Sequence, residues 1–113
     1  MLRLWHNSRC SKSRAALQLL ENAKVEFEVF HYLMTPPNGE RMDGVIEKLG
    51  IPIIEAVRLN EPEWRITGLD VSSPAVAIRR AIISYPILIQ RPILETDDAA
   101  VIGRPPERIL ELI

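Results

Sequence analysis

The sequence holds one cysteine, Cys10, and two histidines in 113 residues, and these scarcities remove whole classes of chemistry. A single cysteine excludes an internal disulfide, so Cys10 is either inert packing or reacts with something brought from outside. No metal is expected: His6, Cys10 and His31 show no paired-ligand spacing, and there is no second thiol. No run approaches the ~18 apolar residues of a membrane span. The start "MLRLWHNSRC" lacks the apolar stretch and small-residue cleavage site of a secretory leader. A cytoplasmic protein with no membrane partner is therefore expected. An excess of one charge is missing too. The 14 Lys and Arg against 15 Asp and Glu leave a net charge of -1, which offers no broad attraction for nucleic acid. There are no internal repeats and no low-complexity tracts.

What is present is ordinary for a globular chain: 47% apolar and 26% charged residues, at a length that fits a single domain spanning 1–113. Eleven of the basic residues are arginine, the better side chain for gripping carboxylates, phosphates and their analogues bidentately, although base composition alone could produce that bias.

"LRLWH" (Leu2 to His6) reads as a strand ended by the turn formers Asn7 and Ser8. From Ser11 the period changes: Ala16, Leu17, Leu20 and Ala23 recur at helical spacing, with Ser11 or Cys10 at the cap. "FEVFHYL" (Phe27 to Leu33) alternates and predicts a second strand, parallel to the first across a right-handed crossover. "TPPNGE" breaks the chain. Helical pieces are expected at Gly39–Leu49, Pro52–Arg58 and Pro74–Ser84, separated by "GIP" and by the polar "NEPEWRITGLD". "ILIQRPILE" (Ile87 to Glu95) predicts a third strand carrying Pro92. "AVI" (Ala100 to Ile102) pairs with it as a hairpin across "TDDA". "GRPPERILELI" predicts a closing helix with Pro105 and Pro106 in its first turn and Ile109, Leu110 and Ile113 on its apolar face. The order β-α-β, helices, β-β-α is that of an α/β protein with a thioredoxin-like fold: a mixed four-stranded sheet with a helical insertion at about 38–85.

The chemistry points to "HNSRCSKSR". Arg9, Lys12 and Arg14 crowd a helix start, where acidic residues are normally favoured, around the only thiol. An unperturbed cysteine is only about 3% thiolate at neutral pH. A helix N-terminus and a nearby guanidinium are the usual means of raising that fraction, and local sequence alone offers both. The alternative is a buried, inert cysteine, against which the turn-forming and charged neighbours argue. Ser13 stands at the fourth position of C-x-x-S, where a dithiol would carry its resolving cysteine. Oxidised Cys10 would then need rescue by glutathione, glutaredoxin or thioredoxin, although a plain first-turn serine fits equally. His6 either pairs with the thiolate, orients the loop, or is an ordinary half-buried histidine. In "QRPI" and "GRPPE" an arginine, Arg91 or Arg104, directly precedes a proline, which holds each backbone extended. By pattern alone these, like Arg58, are as well read as solvated surface residues.

Together these stretches resemble the glutaredoxin-dependent arsenate reductase family, in its single-cysteine branch with a thioredoxin-like fold. The likeness runs through "LRLWHNSRCSKSR", "HYLMTPP", "PILIQRPI" and "GRPPERILELI" in order and spacing. It implies that Cys10 is the nucleophile and that Arg58, Arg91 and Arg104 hold an oxyanion and favour the thiolate. His6 and Asn7 match the motif residues ahead of the cysteine, Ser13 and Arg14 the polar start of the helix, and Pro92 a cis-proline. Ser8 stands where the family usually has proline. The resemblance further implies arsenate or a similar oxyanion as substrate, glutathione as co-substrate, glutaredoxin as partner, no bound cofactor, and a monomer. Two other functions are weighed against it. One is an Spx-type regulator that binds RNA polymerase, whose sensor is normally a C-x-x-C pair that Ser13 denies this chain. The other is a reductase-like thiol protein acting on a different substrate, with no need of an anion clamp.

Overall fold

A computed structural model describes residues 1–113. Four short strands form one sheet: β1 (Leu2–Trp5), β2 (Phe27–Phe30), β3 (Ile93–Glu95) and β4 (Ala100–Ile102), in the order β2-β1-β3-β4. β1 runs parallel to β2, with Leu4 opposite Val29, and antiparallel to β3, with Leu4 opposite Leu94. β3 and β4 form an antiparallel hairpin. This is the mixed, thioredoxin-like arrangement expected from the order of elements.

Alternation along the strands divides the core in two. Leu4, Leu94 and Val101 face α1 (Ser11–Ala23) and the chain end, where they bury Ala16, Leu20 and Ile109. Trp5, Phe30 and Ile93 face the opposite side and meet α2 (Gly39–Leu49), α3 (Pro62–Thr67) and α4 (Ala75–Ser84) through Met42, Val45, Trp64, Ile78 and Ile82. α2 starts on Asn38, whose side chain accepts the Arg41 N–H at 2.8 Å. It ends on Gly50 at φ 65, a left-handed position that glycine takes without a Cβ penalty. One charged group enters this second core. Glu95, 5% exposed, accepts hydrogen bonds from Trp5 Nε1 and Lys48 Nζ, both at 2.9 Å.

Several expected bounds are corrected. β2 stops at Phe30 rather than Leu33, because pairing ends where β1 turns away; the His31 carbonyl then accepts the N–H groups of Met34 and Thr35. The third strand does not begin at Ile87. Pro86–Leu88 is a 3-10 turn, Ile89 makes one isolated bridge to Val57, and the ladder starts at Ile93, past Pro92, which has no N–H to contribute. Pro52–Arg58 narrows to a 3-10 turn at Ile53–Ala56. The polar separator contains α3, opened by Pro62 and anchored by Trp64. The closing segment Pro106–Leu112 is a 3-10 helix, with Pro105 outside it as the cap.

Candidate active site

The site begins where α1 leaves the sheet. Cys10 caps α1 in an extended conformation, held by its own N–H to the Asn7 carbonyl at 3.0 Å, while its carbonyl accepts the Arg14 N–H at 3.0 Å. The sulfur is partly exposed and faces the opening turn of the helix. Burial pushes the thiol pKa up. That effect is outweighed by the backbone N–H groups of Ser13 and Lys12 and by the Arg91 side chain, so that the thiol titrates below its ordinary value. The guanidinium beside the sulfur therefore comes from the far end of the chain. Arg9 and Arg14, the local candidates, do not supply it: Arg14 donates instead to the Ser8 carbonyl at 2.9 Å.

Ser13 is fully buried beneath the loop. Its hydroxyl shares a 2.6 Å hydrogen bond with His6 Nδ1 and accepts the Asn7 backbone N–H at 3.0 Å, while Asn7 Oδ1 accepts the Arg9 N–H at 3.0 Å. His6 is 5% exposed and faces Ser13, not the sulfur. Burial, then His31 and Arg14, hold its pKa below the ordinary value, so the ring is neutral where this loop must keep its shape. Of the contacts expected for His6, the structure shows the hydrogen bond to the loop and none to the sulfur, an arrangement that an ordinary buried histidine also takes.

The arginines come from three separate segments. Arg91 precedes Pro92 through a cis bond at the mouth of β3, and a second cis bond joins Arg104 to Pro105 after β4. Gly103 lies between them, so close to Pro92 that an added Cβ would stand 2.9 Å from the ring. Arg104 Nη1 donates to the Arg91 carbonyl at 2.9 Å. Arg58 follows the 3-10 turn Ile53–Ala56. It shares a small open cavity of about 130 Å³ with Arg104, Gln90, Leu59 and Asn60. A larger groove of about 420 Å³ opens beside His6, Arg9, His31 and Met34, and its lining includes neither Cys10 nor the three arginines.

Two further residues join this cluster: Glu61, outside the motifs above, and Tyr32, inside "HYLMTPP" but assigned no role there. Glu61 Oε1 accepts from Arg58 Nε at 3.0 Å and from Arg91 Nη1 at 3.3 Å. The i+3 spacing from Arg58 was the one available signal, and it is common on protein surfaces. Tyr32, fully buried, has a hydroxyl without a partner and within electrostatic reach of Arg91, Cys10, Arg58 and Glu61. Burial above all pushes its pKa up to about 12, so it is a donor at any physiological pH. Arg91 Nε and Gln90 Oε1 are likewise buried without partners. Unpaired buried polar atoms are few in folded proteins, so these three single out the neighbourhood of Arg91. No three His, Cys, Asp or Glu side chains converge to hold a metal ion.

Comparison with known proteins gives matches that run almost the whole length of the chain. The model of the ArsC family matches residues 5–112. The arsenate reductase of Neisseria meningitidis serogroup A is 39% identical over 112 residues, covering 96% of this chain and 94% of that protein. The uncharacterized protein YfgD of Escherichia coli is 38% identical over 114 residues, covering 99% and 96%. The solved structure of the arsenate reductase from Vibrio cholerae superposes with a TM-score of 0.93 at 35% identity, covering 99% of this chain and 97% of that one.

Proposed function

The chain belongs to the ArsC family, and from that membership we propose that it reduces arsenate to arsenite with Cys10 as the nucleophile. The observation that carries the reading is the sulfur at the start of α1, its pKa lowered against burial by helix N–H groups and by Arg91. Arg58, Arg91 and Arg104 would hold the oxyanion through charge-assisted, partly bidentate hydrogen bonds. The helix start that carries no acidic residue suits both a thiolate and a tetrahedral anion.

In the proposed cycle the Cys10 thiolate attacks arsenic; a sulfur–arsenic bond forms, one arsenic–oxygen bond breaks, and that oxygen leaves as water. Glutathione displaces a second oxygen, again as water, and its sulfur joins the adduct. A glutaredoxin thiolate then takes the glutathionyl group as a mixed disulfide. The electron pair of the broken arsenic–sulfur bond stays on arsenic, which is thereby reduced, and hydrolysis releases arsenite from Cys10. With a single thiol in the chain, the electrons come from outside, and no bound cofactor enters the scheme. His6, Asn7, Ser13 and Arg14 act as supports that hold the loop, and Pro92 as the support behind Arg91. We take residues 1–113 as one domain with a helical insertion at about 38–85, working as a cytoplasmic monomer. No helix is long and apolar enough to cross a membrane.

Purified protein supplied with glutathione, glutaredoxin and an NADPH-coupled glutathione reductase should oxidise NADPH in proportion to added arsenate, and Cys10→Ser should abolish this. Absence of arsenate-dependent oxidation in the wild type would refute the reading.

A further inference from the structure

The proposed oxyanion site already contains an anion. Glu61 puts one carboxylate oxygen against two of the three guanidiniums, that of Arg58 three residues before it and that of Arg91 30 residues after it. All three side chains are about four-fifths buried or more, with exposures of 19% for Glu61, 21% for Arg58 and 11% for Arg91. A surface ion pair between two exposed partners would need no further account. A single carboxylate inserted between two arginines of an anion-binding cluster, beside the unpartnered Arg91 Nε and Tyr32 Oη, does.

The local backbone explains how the carboxylate is presented. Glu61 is the cap of α3, and its N–H donates to the Arg58 carbonyl at 3.3 Å in a tight turn that folds the side chain back over Arg58. The buried Trp64 anchors the helix that follows. The backbone at Glu61 is thus fixed by elements on both sides of it. A second position is available to the side chain. Glu61 and Arg65 line a common groove of about 360 Å³ on the outer side of the segment, and Arg65, exposed, is engaged in no salt bridge.

We propose that Glu61 is the resident counter-anion of the oxyanion site: it neutralises Arg58 and Arg91 while the site is empty, and it gives way to the incoming oxyanion by turning toward Arg65. This rests on the reading of Arg58, Arg91 and Arg104 as the oxyanion clamp. The carboxylate then sets the affinity of the site. It raises the concentration at which small tetrahedral anions occupy the arginines, and it prevents three guanidiniums from facing one another without compensation.

The test uses the full chain and inorganic sulfate, a tetrahedral dianion whose binding needs no turnover, titrated calorimetrically at constant ionic strength. Glu61→Gln keeps the size and one acceptor but removes the charge, and should tighten sulfate binding about five- to tenfold. Arg65→Ala removes the alternative partner and should weaken binding about twofold, but only while Glu61 is present, so the double variant should match Glu61→Gln alone. Thiolate absorbance should show Cys10 titrating lower in Glu61→Gln, because Arg91 loses its competing anion. Unchanged or weaker sulfate binding in Glu61→Gln would overturn the inference and leave Glu61 as a brace for the arginines. Equal effects of Arg65→Ala in both backgrounds would overturn the exchange. Wild-type protein that binds sulfate but does not turn over arsenate would count against the reductase reading without touching Glu61.

Discussion

Gly103 offers the sharpest test of how packing reaches the chemistry. An alanine there would set its methyl 2.9 Å from Pro92 Cγ and 3.0 Å from Ile109 Cγ2. Neither neighbour is a flexible tip: one belongs to a rigid ring, and the other is a fully buried core side chain. Such overpacking costs about 1–3 kcal/mol, which for a chain of this length lowers Tm by about 5–15 °C. The displacement is not confined to stability. The Gly103 N–H donates to the Pro92 carbonyl at 2.8 Å, and Arg104 Nη1 to the Arg91 carbonyl at 2.9 Å, so a shift here is delivered to the residue whose guanidinium faces Cys10. Gly44 is the matched control, because it lies inside α2 and nothing stands within 4 Å of an added Cβ. Gly44→Ala should stabilise by about 0.5–1 kcal/mol through reduced backbone freedom in the unfolded chain. Calorimetry should thus give opposite signs for one chemical change, and Cys10 alkylation at neutral pH should slow in Gly103→Ala alone. A Gly103→Ala protein that melts within about 2 °C of wild type, with unaltered alkylation, would refute the reasoning.

Arg91→Ala should raise the Cys10 pKa, whereas Arg14→Ala should leave it in place; thiolate absorbance against pH reads both, and an equal effect from Arg14 would contradict the geometry. Ser13→Ala strips the partner from buried His6 Nδ1 and from the Asn7 N–H. It should cost about 1–3 kcal/mol in urea unfolding, and a neutral result would show that the loop does not depend on that hydroxyl. Acid should destabilise the fold in two steps. His6 is held below 6.5, first by burial and then by His31 and Arg14, so the unfolded chain binds its proton first and stability falls as pH drops through about 6.5. Glu95 is raised by burial but lowered further by Lys48, Trp5 and Arg3, to a net value below 4.5. Its contribution is therefore present above 4.5 and is lost as pH falls from there through its folded value. Tm measured against pH should show both declines, and His6→Asn should remove the upper one.

The sheet and α1 were legible because each buries one face and writes its period into the sequence. Leu4 and Trp5 point to opposite cores, and Ala16 and Leu20 fall one helical turn apart. Legibility failed where an apolar run is buried for a different reason. Ile87 to Ile89 has the composition of a strand, yet Pro86 opens a 3-10 turn there, and the segment packs against α3 and α4 rather than joining the ladder. α3 is too short for periodicity to speak, with only Trp64 turned inward from six residues. At the site, Cys10 could be placed at a helix start from its neighbours, but which guanidinium meets it depends on a contact between residues 10 and 91 that no local pattern encodes. Glu61 escaped for the same reason: its bond to Arg58 is local, and its bond to Arg91 is made only by the fold.

The cations around the cysteine therefore divide by origin. Arg9, Lys12 and Arg14 raise the positive potential of a helix start that carries no acidic residue in its first turn, yet among them only the backbone N–H of Lys12 acts on the sulfur. The specific charge comes from Arg91, which is 11% exposed and so acts through a medium far less screening than water. A buried guanidinium next to a thiolate is useful only if it is not wholly spent on that thiolate, because an oxyanion must find positive charge in the same place. In the proposed clamp Arg104 and Arg58 would meet that need from two other segments; they are joined to Arg91 through its carbonyl and through Glu61. With Cys10 ionised and Glu61 in place, three guanidiniums face two negative charges, and the site retains one positive charge toward a substrate. Removing Glu61 raises that to two. On the clamp proposed above, the site would be tuned by its carboxylate as much as by its arginines, and the residue that weakens anion binding would also offset the mutual repulsion of the empty cluster.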